Sequence, residues 1–172
     1  MPDKQQTESR HGVMVCINGH GVLITGAAGI GKSSLALELL IQGHQLVADD
    51  VVELTRIEQS LTASSPSMLK GLLHTRELGT INIEQQFGQH AVLDSSPVHY
   101  QLKLSATLSG NTTLEASSPD ATLLQKPIQT LCLSMMNPAS ISSRLLVWLD
   151  LQQTTNNGKQ TLMQRQQQQM SQ

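Results

Sequence analysis

Aromatic side chains are almost missing from this sequence: one Trp, one Tyr and one Phe make up 2% of it. A core therefore has to be aliphatic, built from Leu, Ile, Val, Ala and Met. The interleaving of aromatic and basic residues with which single-strand nucleic-acid binders stack bases is excluded. Charge is also scarce, at 14% with a formal net charge of −2, so no basic field is available to hold a polyanion, and nucleic acid is not an expected partner. Cysteine is limited to Cys16 and Cys132, each in an apolar run and without C-x-x-C spacing. That pattern predicts two buried thiols of a reducing compartment rather than a disulfide or a metal site. No run approaches the roughly 18 apolar residues of a membrane span, and the opening MPDKQQTESR is polar, unlike a secretory leader. A cytoplasmic protein without membrane contact is expected, and 172 residues suit a single domain with a real core.

What is present is a complete phosphate-binding pattern. Residues Gly26, Ala27, Ala28, Gly29, Ile30, Gly31, Lys32 and Ser33 read G-x-x-x-x-G-K-S. The pattern gains its meaning from its flanks. Gly21 to Thr25 (GVLIT) is β-branched and apolar, as a buried strand should be, and Ser33 to Gln42 (SSLALELLIQ) has helical spacing. Strand, loop and helix in that order wrap backbone N–H groups around a polyphosphate at the positive end of the helix. Lys32 then reaches the outer phosphates, and the Ser33 hydroxyl is a ligand for Mg²⁺. A nucleoside triphosphate, ATP, with Mg²⁺ is the expected ligand.

Along the rest of the chain, residues 1–10 read as a disordered lead-in. Val13 to Ile17 (VMVCI) is a strand, and Asn18-Gly19 is a hairpin signal returning the chain into the strand before the loop. Gly43 is a helix stop, Gln45 to Ala48 (QLVA) a strand ending in Asp49-Asp50, and Val51 to Ile57 extended. Ser67 to Leu78 (SMLKGLLHTREL) has the spacing of a helix, with Gly79 as its stop and Thr80 to Ile83 as the next strand. Val98 to Leu108 alternates as a strand, residues 109–120 form a Ser/Thr/Asn-rich loop, and Leu145 to Leu151 (LLVWLDL) reads as a last strand. The Gln-rich tail from Gln152 is a frayed helix or disordered. Met135, Met136 and Trp148 are expected to fill gaps in a core or an interface. His20, His44, His90 and His99 share no metal-ligand spacing.

A P-loop enzyme that transfers phosphate to a hydroxyl needs a carboxylate beside its metal and a group to accept the hydroxyl proton. Asp49 and Asp50 end a strand, which is where a second acidic site falls beside a phosphate loop in α/β sheets. The pair supplies both roles.

The run from His11 to Leu54, HGVMVCINGHGVLITGAAGIGKSSLALELLIQGHQLVADDVVEL, resembles the start of the catalytic domain of the HPr kinase/phosphorylase family. SMLKGLLHTRELGTINIEQQFGQHAV resembles that family's signature region, so the likeness covers roughly residues 11–92. The resemblance implies an α/β P-loop domain of the HPr kinase/phosphoenolpyruvate carboxykinase-like type, over 11–151 here, between the lead-in 1–10 and the tail 152–172. It implies an ATP-dependent protein serine kinase acting on HPr or a paralogous phosphocarrier, in the short form without a separate N-terminal domain, assembled as a hexamer. By the same resemblance His11, Lys32, Asp49 and Asp50 are catalytic. Asp49-Asp50 is the acid/base site with Asp50 favoured as proton carrier, and Ser33 and Asp49 face the metal.

Three departures bear on activity. The family's signature carries a metal-binding Glu in a run like L-E-x-R-G, whereas this chain has Leu73-His74-Thr75-Arg76-Glu77. Imidazole is a poor Mg²⁺ ligand, and Glu77, one helical turn further on, is the candidate replacement. Ser109-Gly110-Asn111-Thr112 stands where the family has an active-site Arg loop, and Asn137 to Arg144 (NPASISSR) replaces a P-G-R-N-like segment, so the expectation covers the kinase direction and not the phosphorylase one. A degenerate nucleotide-binding regulator is the alternative. GTPases are disfavoured, since neither D-x-x-G after the loop nor N-K-x-D occurs.

Overall fold

Val13–Ile17 is buried at all five positions, as an interior strand covered on both faces must be. In the computed structural model, which describes residues 4–107, 117–118 and 122–171, it is β2. The other strands are β1 (Gln6–His11), β3 (His20–Thr25), β4 (Gln45–Ala48), β5 (Val51–Ile57), β6 (Ser60–Ser64), β7 (Leu72–Thr75), β8 (Gly79–Asn82), β9 (Ser95–Pro97), β10 (Tyr100–Ser105), β11 (Ser117–Ser118), β12 (Thr122–Leu123), β13 (Lys126–Pro127) and β14 (Gln129–Ser134). Helices are α1 (Lys32–Ile41), α2 (Ile83–Phe87), α3 (Ile141–Gln153) and α4 (Gly158–Met170). The chain divides into two units, Met1–Ser142 and Ser143–Gln172. The second holds most of α3 and all of α4. Among the described residues no helix is long and apolar enough to cross a membrane.

In the first unit a six-stranded sheet, ordered β11-β14-β10-β3-β2-β4, and a four-stranded antiparallel sheet, β1-β5-β6-β9, are the main layers. Met14, Cys16, Leu23, Val47 and Ala48 of the larger sheet share one buried cluster with Val52, Leu54, Leu61 and Ala63 of the smaller. Period-two alternation turns Val13, Val15 and Ile17 to the opposite face, and α1 lies beside β2 and β4, burying Leu35, Ala36, Leu39 and Leu40. The core is aliphatic, as the scarcity of aromatics requires. Cys16 is buried and free within it, while Cys132 is free but only partly buried.

Strand direction decides where the chemistry gathers. Asn18 and Gly19, both at positive φ (50° and 83°), turn β2 back into an antiparallel β3. β4 is antiparallel to β2 as well, so β4 and β3 run the same way. Their C-terminal ends, carrying Asp49-Asp50 and the glycine loop, therefore fall on one edge of the sheet. The start of β2, with His11 and Gly12 just before it, lies on that edge too.

Three local expectations are corrected, and of the two alternatives for the tail the helical one is found. Gln6 to Arg10 belong to a strand rather than a disordered lead-in: β1 pairs with β5 from Gln6↔Arg56 to His11↔Val51. Its sequence carries no apolar signal because an edge strand is held by its backbone ladder, and polar side chains protect such an edge. Residues 67–78 are not a helix but a turn followed by the β7–β8 hairpin, with Leu73 paired to Ile81 and His74 to Thr80. Gly71 and Gly79, at φ 74° and 77°, break the helical spacing that Met68, Leu72 and Leu73 suggest. Leu145 to Leu151 is helical, within α3. A seven-residue apolar run does not by itself separate a buried strand from a helix, and Ile141, Leu145 and Trp148 share one helical face. The tail is helical over α4, Gly158–Met170. The loop expected over 109–120 lies outside the described residues except at 117–118, which form β11 against β14.

At the end of β3 away from the glycine loop, Gly21 N–H donates to His99 Nδ1 (3.0 Å) and its carbonyl accepts from His99 N–H (2.9 Å). A Cβ on Gly21 would run into the Pro97 carbonyl, so β9 and β3 meet there backbone to backbone. The ring acceptor requires His99 to be neutral with its proton on Nε2. Partial burial, then His20, then Lys126 hold the His99 pKa below its ordinary 6.5. A lowered pKa means that the native state carries fewer protons than the unfolded chain, so this contribution is complete above about pH 6.5 and is lost as pH falls through the folded value. Thermal melts of the wild type followed by circular dichroism should lose midpoint temperature below pH 6.5, and His99→Asn, which keeps an acceptor but does not titrate, should lose less. Parallel curves for the two proteins would show that His99 does not report on pH.

Candidate active site

The glycine loop forms as its spacing predicts. β3 ends at Thr25, the Ile30 N–H closes a turn onto the Ala27 carbonyl (3.2 Å), and α1 starts at Lys32 behind Gly31, whose φ of 117° no L side chain adopts comfortably. Neither a capping side chain nor an acidic residue in the first turn competes for the free N–H groups at the start of α1. That end of the helix is thus left to an anion. Lys32 Nζ folds over the loop and donates to the Gly26 and Ala27 carbonyls, both at 2.9 Å. An ammonium has three donors, so one remains for a ligand.

Asp49 is the joint of the site. It is 4% exposed, and each carboxylate oxygen accepts one hydrogen bond: Oδ1 from Ser33 Oγ (2.8 Å) and Oδ2 from the His74 backbone N–H (2.7 Å). P-loop, β4 and the β7–β8 hairpin are thereby pinned at one point. Asp50 next to it is different. The Val51 N–H bonds back to the Asp49 carbonyl (2.8 Å), a γ-turn with Asp50 at its centre and φ of 68°, a rare and strained form. The turn swings the Asp50 side chain outward, where it is 66% exposed and stands 3.5 Å from His11 Nδ1. The Asp50 carbonyl accepts from the Gly12 N–H (3.2 Å) and lies 3.1 Å from His11 Nδ1. One carboxylate is therefore buried against the loop hydroxyl, and its neighbour is presented to an incoming group.

Ser33 Oγ and Asp49 Oδ1 are hard oxygens at a phosphate loop, the donor set Mg²⁺ prefers, so the residues present fit that ion and would hold it. Glu77 does not reach them by the helical spacing expected, because it sits in a hairpin turn, where it lines the same cleft. The His74 side chain stays on the hairpin, with Nδ1 3.0 Å from Thr80 Oγ1. Among the described residues no three His, Cys, Asp or Glu side chains cluster closely enough to hold a metal by themselves.

These groups line a cleft of about 940 Å³, bounded by His11 and Gly12, by the loop and by the hairpin turn. That is ample for a nucleotide's phosphates and an acceptor side chain. The structure also supplies a residue that the sequence reading passed over. Arg76, at the hairpin turn, lies against the loop, with its Nη2 2.6 Å from where a Cβ on Gly29 would stand. A cation two residues beyond His74 was the available signal, but a helix over 67–78 gave it no reason to face the loop. Met135 touches the loop as well, its methyl 3.2 Å from the corresponding position on Gly31.

Comparison with known proteins gives a consistent result. The family profile described as HPr Serine kinase C-terminal domain matches residues 4–168. The HPr kinase/phosphorylase of Clostridium tetani is 48% identical over 95 residues, 55% of this chain and 31% of the relative. That of Nitrosomonas europaea is 53% identical over 85 residues, 49% of this chain and 26% of the relative. The chain thus spans under a third of the length of these relatives. The structure of the Hpr(Ser) kinase/phosphatase from Coxiella burnetii superposes with a TM-score of 0.73 at 30% identity, over 85% of this chain and 98% of that one. The chain belongs to the HPr serine kinase C-terminal domain family, and its fold is the α/β P-loop type of that family.

The two aspartates should respond oppositely to substitution. Asp49→Ala leaves the partly buried Ser33 hydroxyl and His74 N–H without their acceptor and should cost about 1–3 kcal/mol. Asp50→Gly relieves the positive-φ strain, loses only an exposed pair, and should be neutral or stabilising by about 1 kcal/mol. Urea unfolding followed by far-ultraviolet circular dichroism measures both, and equal destabilisation would contradict the division of roles.

Proposed function

We propose that this member of the HPr serine kinase family is an ATP-dependent protein kinase that phosphorylates a serine of an HPr-like phosphocarrier. The observation that carries the reading is the convergence on one sheet edge of the phosphate loop, the Ser33–Asp49 pair and the outward-facing Asp50 beside His11. Loop N–H groups and Lys32 hold the β- and γ-phosphates. Ser33 and Asp49 would hold Mg²⁺, which when bound offsets phosphate charge. The acceptor serine enters the open side of the cleft and places its Oγ in line with the γ-phosphorus. As the new O–P bond forms, the bond from the γ-phosphorus to the β–γ bridging oxygen breaks and ADP departs with that oxygen. The hydroxyl proton passes to the Asp50 carboxylate, the exposed member of the pair. His11, 85% exposed at its side chain and 3.5 Å from Asp50, flanks the transferred group. We place the protein in the cytoplasm, where such a carrier and ATP meet, and as a homo-oligomer.

A second reading, a nucleotide-binding regulator without turnover, is favoured by one observation: an imidazole bonded to Thr80 occupies the position of the family's metal-binding Glu. Incubation of the protein with labelled ATP, Mg²⁺ and HPr-like carriers decides between them. The kinase reading requires labelled phosphoserine on a carrier, whereas ATP binding with no transfer to any carrier gives the regulator.

Two variants sharpen the result. Lys32→Ala should weaken ATP binding at least about tenfold in a titration. Asp50→Asn should retain ATP affinity and lose transfer by about two orders of magnitude, and undiminished transfer would remove Asp50 from the proton's path.

A further inference from the structure

We propose that Met135 and Met136 form the platform for the base of the bound nucleotide, on the flank of the phosphate loop away from the aspartates. This rests on the nucleotide reading above and adds to it the means by which the base is held. Strand direction is the first support. β3, β10 and β14 run parallel to one another, so the residues that follow β14 emerge on the edge where β3 delivers the loop. In the sheet order β14-β10-β3-β2-β4, the methionines and Asp49-Asp50 stand on opposite sides of β3. Two strand spacings, about 10 Å, separate β14 from β3. The phosphate to be transferred belongs at the aspartates, so the rest of the nucleotide extends the other way, across the loop and over the ends of β10 and β14.

Contact and exposure are the second. The Met135 methyl is 3.2 Å from where a Cβ on Gly31 would stand, and Gly31 lines the cleft that the phosphates enter. Loop and methionine are therefore neighbouring parts of one surface. The start of the loop leans the same way, since a Cβ on Gly26 would come within 2.9 Å of the Leu104 carbonyl near the end of β10. Met135 is 38% exposed and Met136 58%. An exposed apolar side chain standing singly needs no explanation. Two adjacent ones against a phosphate loop are an apolar surface that the fold has left open where a ligand is to lie.

The third support is the chemistry of the pair. The backbone beneath it is fixed: the Met135 N–H donates to the Ser105 carbonyl (2.8 Å), continuing the β10–β14 ladder past its last pair, and the Met136 N–H donates to Ser134 Oγ (3.1 Å). The side chains above it are adaptable, unbranched and tipped with a polarisable sulfur that packs well against an aromatic ring. In a chain with one Trp, one Tyr and one Phe, thioethers take the place of a stacking ring. A thioether donates no hydrogen bond and accepts only weakly. It therefore grips the flat face that every base presents and does not read the edge that separates adenine from guanine.

The test is a set of equilibrium titrations of the full chain with ATP, GTP and inorganic tripolyphosphate, each with Mg²⁺. The proteins are wild type, Met135→Ala/Met136→Ala, Met135→Leu/Met136→Leu and Lys32→Ala. Tripolyphosphate offers the phosphates without a base. The double alanine variant should bind ATP about three- to tenfold more weakly and tripolyphosphate within about twofold of the wild type. The double leucine variant, which keeps apolar cover, should fall between the two for ATP. In the wild type, ATP and GTP should bind within about threefold of one another. Unchanged ATP affinity in the double alanine variant, an equal loss for tripolyphosphate, or a wild-type preference for ATP over GTP above about tenfold overturns the inference. In any of these events, loss of all three ligands in Lys32→Ala shows that the nucleotide reading stands without it. A wild type that binds none of the three removes both.

Discussion

The Asp49 carboxylate is the constraint on which the site depends. A buried anion is costly unless hydrogen bonds replace its water. Here one oxygen is satisfied by the first turn of α1, through Ser33, and the other by the backbone of β7, through His74. The bonds that make the burial tolerable are also the bonds that register three separate chain segments against one another. Removing Asp49 leaves the other two segments without a common point. Because the partner on β7 is a main-chain N–H, this register is indifferent to the side chain at position 74. A histidine can stand there without disturbing the architecture, whatever it does to a metal.

That arrangement is possible because of strand direction. Two successive antiparallel pairings, β3 with β2 and β2 with β4, return the chain to its starting direction, so the acidic end of β4 and the phosphate loop after β3 share an edge. The continuation of β3 on its other side is parallel, through β10 and β14. The four-stranded sheet contributes the rest: its register brings His11 opposite Val51, immediately after the strained turn at Asp50. The strain at Asp50 is thus held from both sides, by the Gly12 N–H on its carbonyl and by the paired strands on either side of the turn.

Much of this was legible in the sequence, for a physical reason. The phosphate loop is a local device in which glycines, lysine and serine act within eight residues, so pattern and flanks suffice. The hairpin at Asn18-Gly19 is equally local. What was not legible depends on partners distant in sequence. Gln6 to His11 form a strand only because β5 offers a ladder. Leu72 to Asn82 form a hairpin despite leucines at helical spacing, since the glycines at 71 and 79 and the docking to Asp49 outweigh that spacing. Leu145 to Leu151 read equally well in either period. The contrast between Asp49 and Asp50 could not be read from two identical letters. Arg76 was hidden by the same misassigned helix that put Glu77 on a shared face with His74.

The scarcity of aromatics has one last consequence, for observation rather than for function. Trp148 is the sole tryptophan of the chain and lies on α3 in the second unit, 143–172, whereas the first unit has only Tyr100 and Phe87 as aromatic side chains. Intrinsic fluorescence excited at the red edge of protein absorption therefore arises from one helix of the second unit. An emission change that precedes the loss of β-sheet ellipticity dates an event in that helix, and the P-loop sheet gives no tryptophan emission of its own until a tryptophan is placed in it.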